Sequence, residues 1–185
     1  MKPILAITMG DPAGIGPEII VKALNNKETY EKCRPLVTGD ASVMEWAVRQ
    51  LGTEQKINII HSVGEALFEF GTIDVYDLQC VDMTVFEPGV VSPQCGNAAF
   101  VSIIKAIELA MADEVDGTVT APLNKEALHK GGHNFDGHTE IYAHFTGTKK
   151  YAMLLADKFM RVIHVSTHVS LREACDRVKK DRIIE

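Results

Sequence analysis

A short apolar run, residues 4–9, breaks off at Gly10-Asp11-Pro12-Ala13-Gly14-Ile15-Gly16, and a helical pattern starts at once behind it. Pro17 suits the first turn of that helix because its fixed φ is already helical, and Ile19, Ile20, Val21 and Leu24 supply its apolar face. A strand that feeds a helix through a Gly-rich turn is the opening of a βα unit, and the same alternation of apolar runs and helical periods continues down the chain. That pattern predicts an α/β fold with a mostly parallel sheet.

Further strands are expected at residues 35–38, 57–60, 73–76 and 117–121. Helices are expected at 42–51 and 97–111, the second marked by Ala98, Val101, Ile104, Ala106, Ile107 and Ala110 at helical spacing. Residues 81–93 carry Pro88, Gly89 and Pro93 and predict an excursion or small hairpin. Residues 139–145 open a helical segment. Residues 151–156 and 160–166 read as a strand pair, and 170–182 as an amphipathic helix built on Leu171, Ala174, Cys175 and Val178. No internal repeat or low-complexity stretch interrupts this order.

Composition narrows the function classes. With 46% hydrophobic and 24% charged residues in 185 and a mean hydropathy of +0.02, the chain has the profile of a soluble globular protein. Its apolar runs are too short to span a bilayer, so no membrane partner is expected. The 25 acidic and 19 basic residues leave a net charge of −6, so there is no global basic field for a nucleic acid. Four cysteines at 33, 80, 95 and 175 form neither a CxxC pair nor a convincing disulfide framework. The N-terminal run lacks the features of a signal peptide, and a reduced, cytoplasmic protein is expected.

Several segments could carry chemistry. The Gly10 to Gly16 loop offers backbone N–H groups and a positive helix end to an anion such as a phosphate or carboxylate; the plain alternative is a tight strand-to-helix turn. As a dinucleotide fingerprint it is weak, because Ile19 stands where a third small residue is needed, although Asp40 closes the next strand about where a ribose-binding acid lies. No Gly-Lys-Ser/Thr follows, so it is not a P-loop. Lys125, in Thr120-Ala121-Pro122-Leu123-Asn124-Lys125, follows a strand end, where it can hold an anion or simply stand in solvent. His138 and Thr139, in Gly137-His138-Thr139-Glu140, put an imidazole and a hydroxyl beside free helix N–H groups; the alternative is N-capping by Thr139 or Asp136. His129, His133 and His144 crowd the same region without a zinc-site spacing and read as surface or loop residues. In His164-Val165-Ser166-Thr167-His168, His168 is expected at a strand tip and His164 in a core or on the other face.

In this order and spacing, the 7–18, 120–125, 137–140 and 166–168 segments identify the chain as similar to the 4-hydroxythreonine-4-phosphate dehydrogenase family, including its branch acting on D-threonate or D-erythronate 4-phosphate. The resemblance implies an α/β/α sandwich related to the isocitrate and isopropylmalate dehydrogenases, and a homodimer. It implies NAD-dependent oxidation of a secondary alcohol in a small phosphorylated hydroxy acid, giving a β-keto acid that loses carbon dioxide. His138 and Thr139 match substrate-binding residues, Lys125 is the weaker catalytic candidate, and His168 matches one of three histidines that hold a divalent metal (Zn, Mg or Co). The metal would acidify the hydroxyl and then polarise the ketone for decarboxylation.

Family members continue well beyond Glu185, so the chain is expected to be an N-terminal portion truncated there, with the other two metal histidines and most of the nucleotide site in the missing part. Taken alone, the 185 residues are expected to be inactive. Two other classes remain in view at this point: a transferase or nucleotide-binding enzyme using the Gly10 to Gly16 loop, and a phosphate-ligand-binding module without catalysis.

Overall fold

The computed structural model describes residues 2–167 and 169–184. They divide into two compact units, 1–146 and 147–185. The first unit runs β1 (Ile4–Thr8), α1 (Gly16–Leu24), α2 (Lys27–Lys32), β2 (Arg34–Gly39), α3 (Ala41–Leu51), β3 (Lys56–Ile60), β4 (Thr72–Asp77), α4 (Pro93–Met111), β5 (Gly117–Thr120), α5 (Lys125–Lys130) and α6 (His138–Phe145). Its five strands form one sheet in the order β3-β4-β2-β1-β5, and every pairing is parallel. The α/β class read from the sequence is the observed one.

Strand alternation sorts the core into two layers. Val37 and Met9 pack with Ile20, Val21, Leu24, Val43 and Met44 of α1 and α3. Ala6 and Leu36 turn to the opposite side and pack with Ala106 and Leu109 of α4. A third cluster, Ile103, Ile107, Leu128 and Ile141, ties α4 to α5 and α6. Ser102 of α4 enters the tips of β1 and β2: its hydroxyl accepts from the Met9 N–H at 2.9 Å, and the Thr38 hydroxyl donates to its carbonyl at 2.9 Å.

Where elements differ from the sequence expectation, caps explain it. The long helix starts at Pro93, four residues before Asn97, because Ser92 caps it (accepting from the Cys95 N–H) with proline in the first turn. Residues 81–92 form the excursion, with no strand assigned in them. They are held by the Cys80 and Val81 N–H groups donating to Asp40 Oδ2 and by the Gly89 N–H donating to the Ala13 carbonyl. Two six-residue helices, α2 and α5, have no apolar period to announce them. Each is started by an asparagine, Asn26 or Asn124, whose side chain accepts a first-turn N–H.

The second unit contains an antiparallel pair, β6 (Leu154–Ala156) and β7 (Arg161–Ile163). Both strands are shorter than the apolar runs that predicted them and are exposed along their length. The expected helix over 170–182 is divided into α7 (Leu171–Arg177) and α8 (Lys180–Ile184), with Val178 at ψ 84° between them. Neither helix buries a residue, so no tertiary packing carries the pattern through as a single helix.

Candidate functional site

The Gly10 to Gly16 loop is a tight joint between the end of β1, the start of α1 and the segment after β5. The Asp11 N–H donates to the Pro122 carbonyl, the Gly14 N–H to the Asp11 carbonyl, and the Ala13 N–H to Asp11 Oδ1 at 2.9 Å. The loop's own buried carboxylate thus takes a place an incoming anion would need. Burial pushes the Asp11 carboxyl above its usual range, opposed by the N–H groups of Ala13 and Gly14. The loop is a tight strand-to-helix turn, and the first turn of α1, with Ile15 at the capping position, carries no side-chain cap.

Asp40 is equally committed. Its Oδ1 caps α3 by accepting from the Ser42 N–H at 3.0 Å, and its Oδ2 takes the N–H groups of Cys80 and Val81 at 2.8 and 2.9 Å. A ribose-binding role would need acceptor capacity that this carboxylate has already spent.

Just beyond β5, the Thr120 to Lys125 segment runs over the β1 tip. Asn124 caps α5 through the Ala127 N–H at 3.0 Å, which places Lys125 in the first turn with its side chain in solvent.

His138 is the first residue of α6, partly buried beside the Ala121 backbone. Neither Thr139 nor Asp136 caps this helix; Gly137 holds the capping position with no side-chain bond. The capping alternative is therefore not the one observed, and the first-turn N–H groups of α6 carry no side-chain cap. The Nε2 atom of His138 is buried and has no hydrogen-bond partner among the described residues. Burial holds the imidazole below its usual range, while the Ala121 backbone pulls the other way. Thr139 stands next to it, partly buried. One turn further on the same helix face, the Tyr142 hydroxyl is also buried without a well-formed hydrogen bond; burial raises its phenol, and the neighbouring Thr118 side chain opposes the shift.

Sequence reasoning passed over the support for this helix start. His133 stacks on Phe100 with centroids 3.6 Å apart and 12° between planes, and its Nε2 meets Asn97 Oδ1 at 3.0 Å. The signal was available in the crowding of His129, His133 and His144 around Phe135. By sequence most of these histidines read as surface or loop residues; His133 is a partly buried packing residue, and burial lowers its imidazole below the usual range.

Among the described residues no group of three His, Cys, Asp or Glu side chains could hold a metal ion. His168 lies outside the described residues. His164 sits just past β7, its N–H donating to the Met153 carbonyl at 3.0 Å. The residues present thus do not by themselves fit a metal centre.

The parallel α/β layer thus carries, at the C-terminal edge of its strands, an uncapped helix start and an imidazole whose Nε2 is buried without a partner among the described residues, the edge at which open α/β sheets in general bind ligands. Residues 31–185 match the family model described as pyridoxal phosphate biosynthetic protein PdxA, and the chain belongs to that family. A Clostridium botulinum relative, provisionally named a D-threonate 4-phosphate dehydrogenase, is 44% identical over 184 residues, covering 100% of this chain and 55% of its own length. The crystal structure of a 4-hydroxythreonine-4-phosphate dehydrogenase from Burkholderia phymatum superposes with a TM-score of 0.93 at 44% identity, covering 99% of this chain and 55% of that one. The corresponding Klebsiella pneumoniae enzyme gives 0.91 at 42% identity, covering 99% and 55%. The chain therefore spans about half the length of the curated relatives it matches.

Proposed function

We propose that the protein to which this chain belongs is an NAD-dependent, divalent-metal-assisted dehydrogenase of a phosphorylated four-carbon hydroxy acid. In this reading the C3 hydroxyl loses its proton and the C3 hydrogen leaves as hydride to NAD. The resulting β-keto acid then releases carbon dioxide. The observation that carries this chain's part is the buried, unpartnered Nε2 of His138 at the uncapped start of α6. Buried polar atoms are nearly always paired, so an orphan there fits a group completed by substrate. Depressed by burial, the imidazole is neutral near pH 7 and can exchange a hydrogen bond with a substrate oxygen without placing a second charge there. Thr139 and the open first-turn N–H groups suit an anionic oxygen of the same molecule. Lys125, exposed in the first turn of α5, is a point charge available to the phosphate.

Bound NAD would accept the hydride, and a bound divalent metal would acidify the hydroxyl; neither is assigned to residues described above. D-threonate 4-phosphate and 4-phosphohydroxy-L-threonine share the reacting carbons and differ at C2, hydroxyl against amine. Both are carried by relatives at 44% identity: the first by the Clostridium botulinum protein's name, the second by the Burkholderia phymatum enzyme's. D-erythronate 4-phosphate stands with the first. A site that hydrogen-bonds one C2 group can reject the other strongly.

We also read the protein as a cytoplasmic homodimer. Supporting this, Leu154, Leu155, Phe159, Met160 and Ile163 are all more than half exposed on the β6–β7 ribbon, a surface that needs a cover. No helix among the described residues is long and apolar enough to cross a membrane.

The test is NADH formation by the full-length protein with each of the three phosphorylated acids, divalent metal supplied. Turnover of at least one supports the reading, with the kcat/KM ratio naming the physiological acid. No turnover with any of them overturns it.

A further inference from the structure

The loop between α5 and α6 delivers His138, and its course is set by one ring stack and one hydrogen bond. The His133 imidazole lies flat on Phe100 of α4, and its Nε2–H is directed at Asn97 Oδ1, one turn earlier on the same helix. Phe135 is then held from both sides: its N–H donates to the His133 carbonyl at 3.1 Å, and its own carbonyl meets His129 Nε2 at 3.1 Å. Phe100 also touches Phe135 and, from the far end of α6, Phe145, with centroids 6.1 and 5.7 Å away. His138 therefore sits between two points fastened to one aromatic ring of α4. The backbone leaves little slack behind this, since a Cβ on Gly131 would come within 2.8 Å of the Asn97 backbone nitrogen.

We propose that His133 is a positioning residue for His138: through Asn97 and Phe100 it fixes the loop from which α6 starts, and with it the direction of the His138 ring. The proposal rests on the reading of His138 as a substrate-facing group. His133 itself need not touch substrate. An imidazole supplies both a flat face for stacking and a directed N–H, a combination that phenylalanine or asparagine supplies only in half.

The experiment uses two variants of the full-length protein. His133→Phe keeps a ring on Phe100 and removes the donor. Asn97→Ala keeps His133, removes the acceptor and favours the helix it sits in, so it remains informative should the first variant fold poorly. The His138 ring signals are followed by imidazole-resolved NMR without substrate, and KM and kcat are measured with the acid that the wild type turns over. Both variants are expected to shift the His138 signals while the methyl spectrum stays native, and to raise KM about tenfold with kcat within about twofold, the pattern of weakened binding rather than altered chemistry. Unchanged His138 signals in a folded variant overturn the proposal. So does a loss of activity that only follows a loss of folded protein. Should the wild type turn over none of the acids, the functional reading fails, and the NMR arm still decides the positioning claim.

Discussion

The N–H of Asp11 donates to the carbonyl oxygen of Pro122 at 3.0 Å, joining two segments 111 positions apart that the sequence offers as separate motifs. Gly10, at φ +73°, lies so close to that same carbonyl that a Cβ would collide with it, and a Cβ on Gly16 would meet the Met9 carbonyl. Gly10 and Gly16 therefore serve close approach of backbones at the ends of β1 and β5.

Gly10→Ala is expected to cost roughly 3 kcal/mol, from the positive φ and the collision together. Gly96→Ala sharpens the point. In α4 alanine is the better helix former by about 1 kcal/mol, yet its Cβ would run into the Ala127 backbone. Urea unfolding of the full-length protein should show both variants destabilised; a stabilised Gly96→Ala would contradict the α4–α5 packing described.

Asp11 separates charge from hydrogen bonding. Asp11→Asn keeps an acceptor for the Ala13 N–H and removes a buried charge, so stability at pH 7 should hold or rise. Asp11→Ala orphans that N–H and should cost about 1–3 kcal/mol. The raised carboxyl pKa gives the sign of the pH dependence. Its stabilising contribution is full below the unfolded value of 3.8 and is lost as pH rises through the folded one. Asp11→Asn should remove that loss, so the urea midpoint of the variant should gain on that of the wild type as pH rises from 3.8 through the folded value.

The two buried imidazoles act in the opposite direction. His133 and His138 are both lowered from 6.5, burial being the leading cause. The unfolded chain takes up protons as pH falls through about 6.5, while the folded state resists until its lower values are reached. Their contribution is therefore full above about 6.5 and is lost as pH falls below it. The urea midpoint should drop between pH 7.5 and 5.5 by more in the wild type than in His133→Phe.

Thiol reactivity should follow burial. Cys95 is 1% exposed, and burial, seconded by Asp40, pushes the Cys80 thiol up to about 12. Cys175 is exposed. Since the thiolate is the nucleophile, iodoacetamide at pH 8 should label Cys175 first and leave Cys80 and Cys95 unmodified in the folded protein, as mass spectrometry of peptides will show.

Much of the first unit was legible in the sequence because its cues are local: apolar runs of strand length, and helical spacing from Ala98 to Ala110. What was not legible depended on caps and on distance along the chain. Ser92-Pro93 started α4 earlier than its apolar stripe did, and Asn26 and Asn124 started helices with no stripe at all. Of the site residues, His138 stood out through its motif, but the missing cap at Gly137 and the orphaned Nε2 are facts of packing. In the Gly10 to Gly16 loop, nothing in a Gly-rich spacing shows that Asp11 takes the Ala13 N–H while the start of α1 carries no side-chain cap. His133 was overlooked because its partners, Asn97 and Phe100, lie more than 30 positions away.

The most direct measurement of the central claim is kcat/KM for D-threonate 4-phosphate, followed by NADH formation, in the full-length protein and its His138→Ala variant. Nε2 of His138 makes no hydrogen bond within the described residues, whereas the ring's bond to the Ala121 backbone is lost with the imidazole, so kcat/KM is read on folded protein only. A substrate-facing imidazole predicts a loss of about a hundredfold or more, equivalent to about 2.7 kcal/mol of transition-state stabilisation, in a variant that still unfolds cooperatively in urea. A folded variant with kcat/KM within about twofold of the wild type would contradict the account.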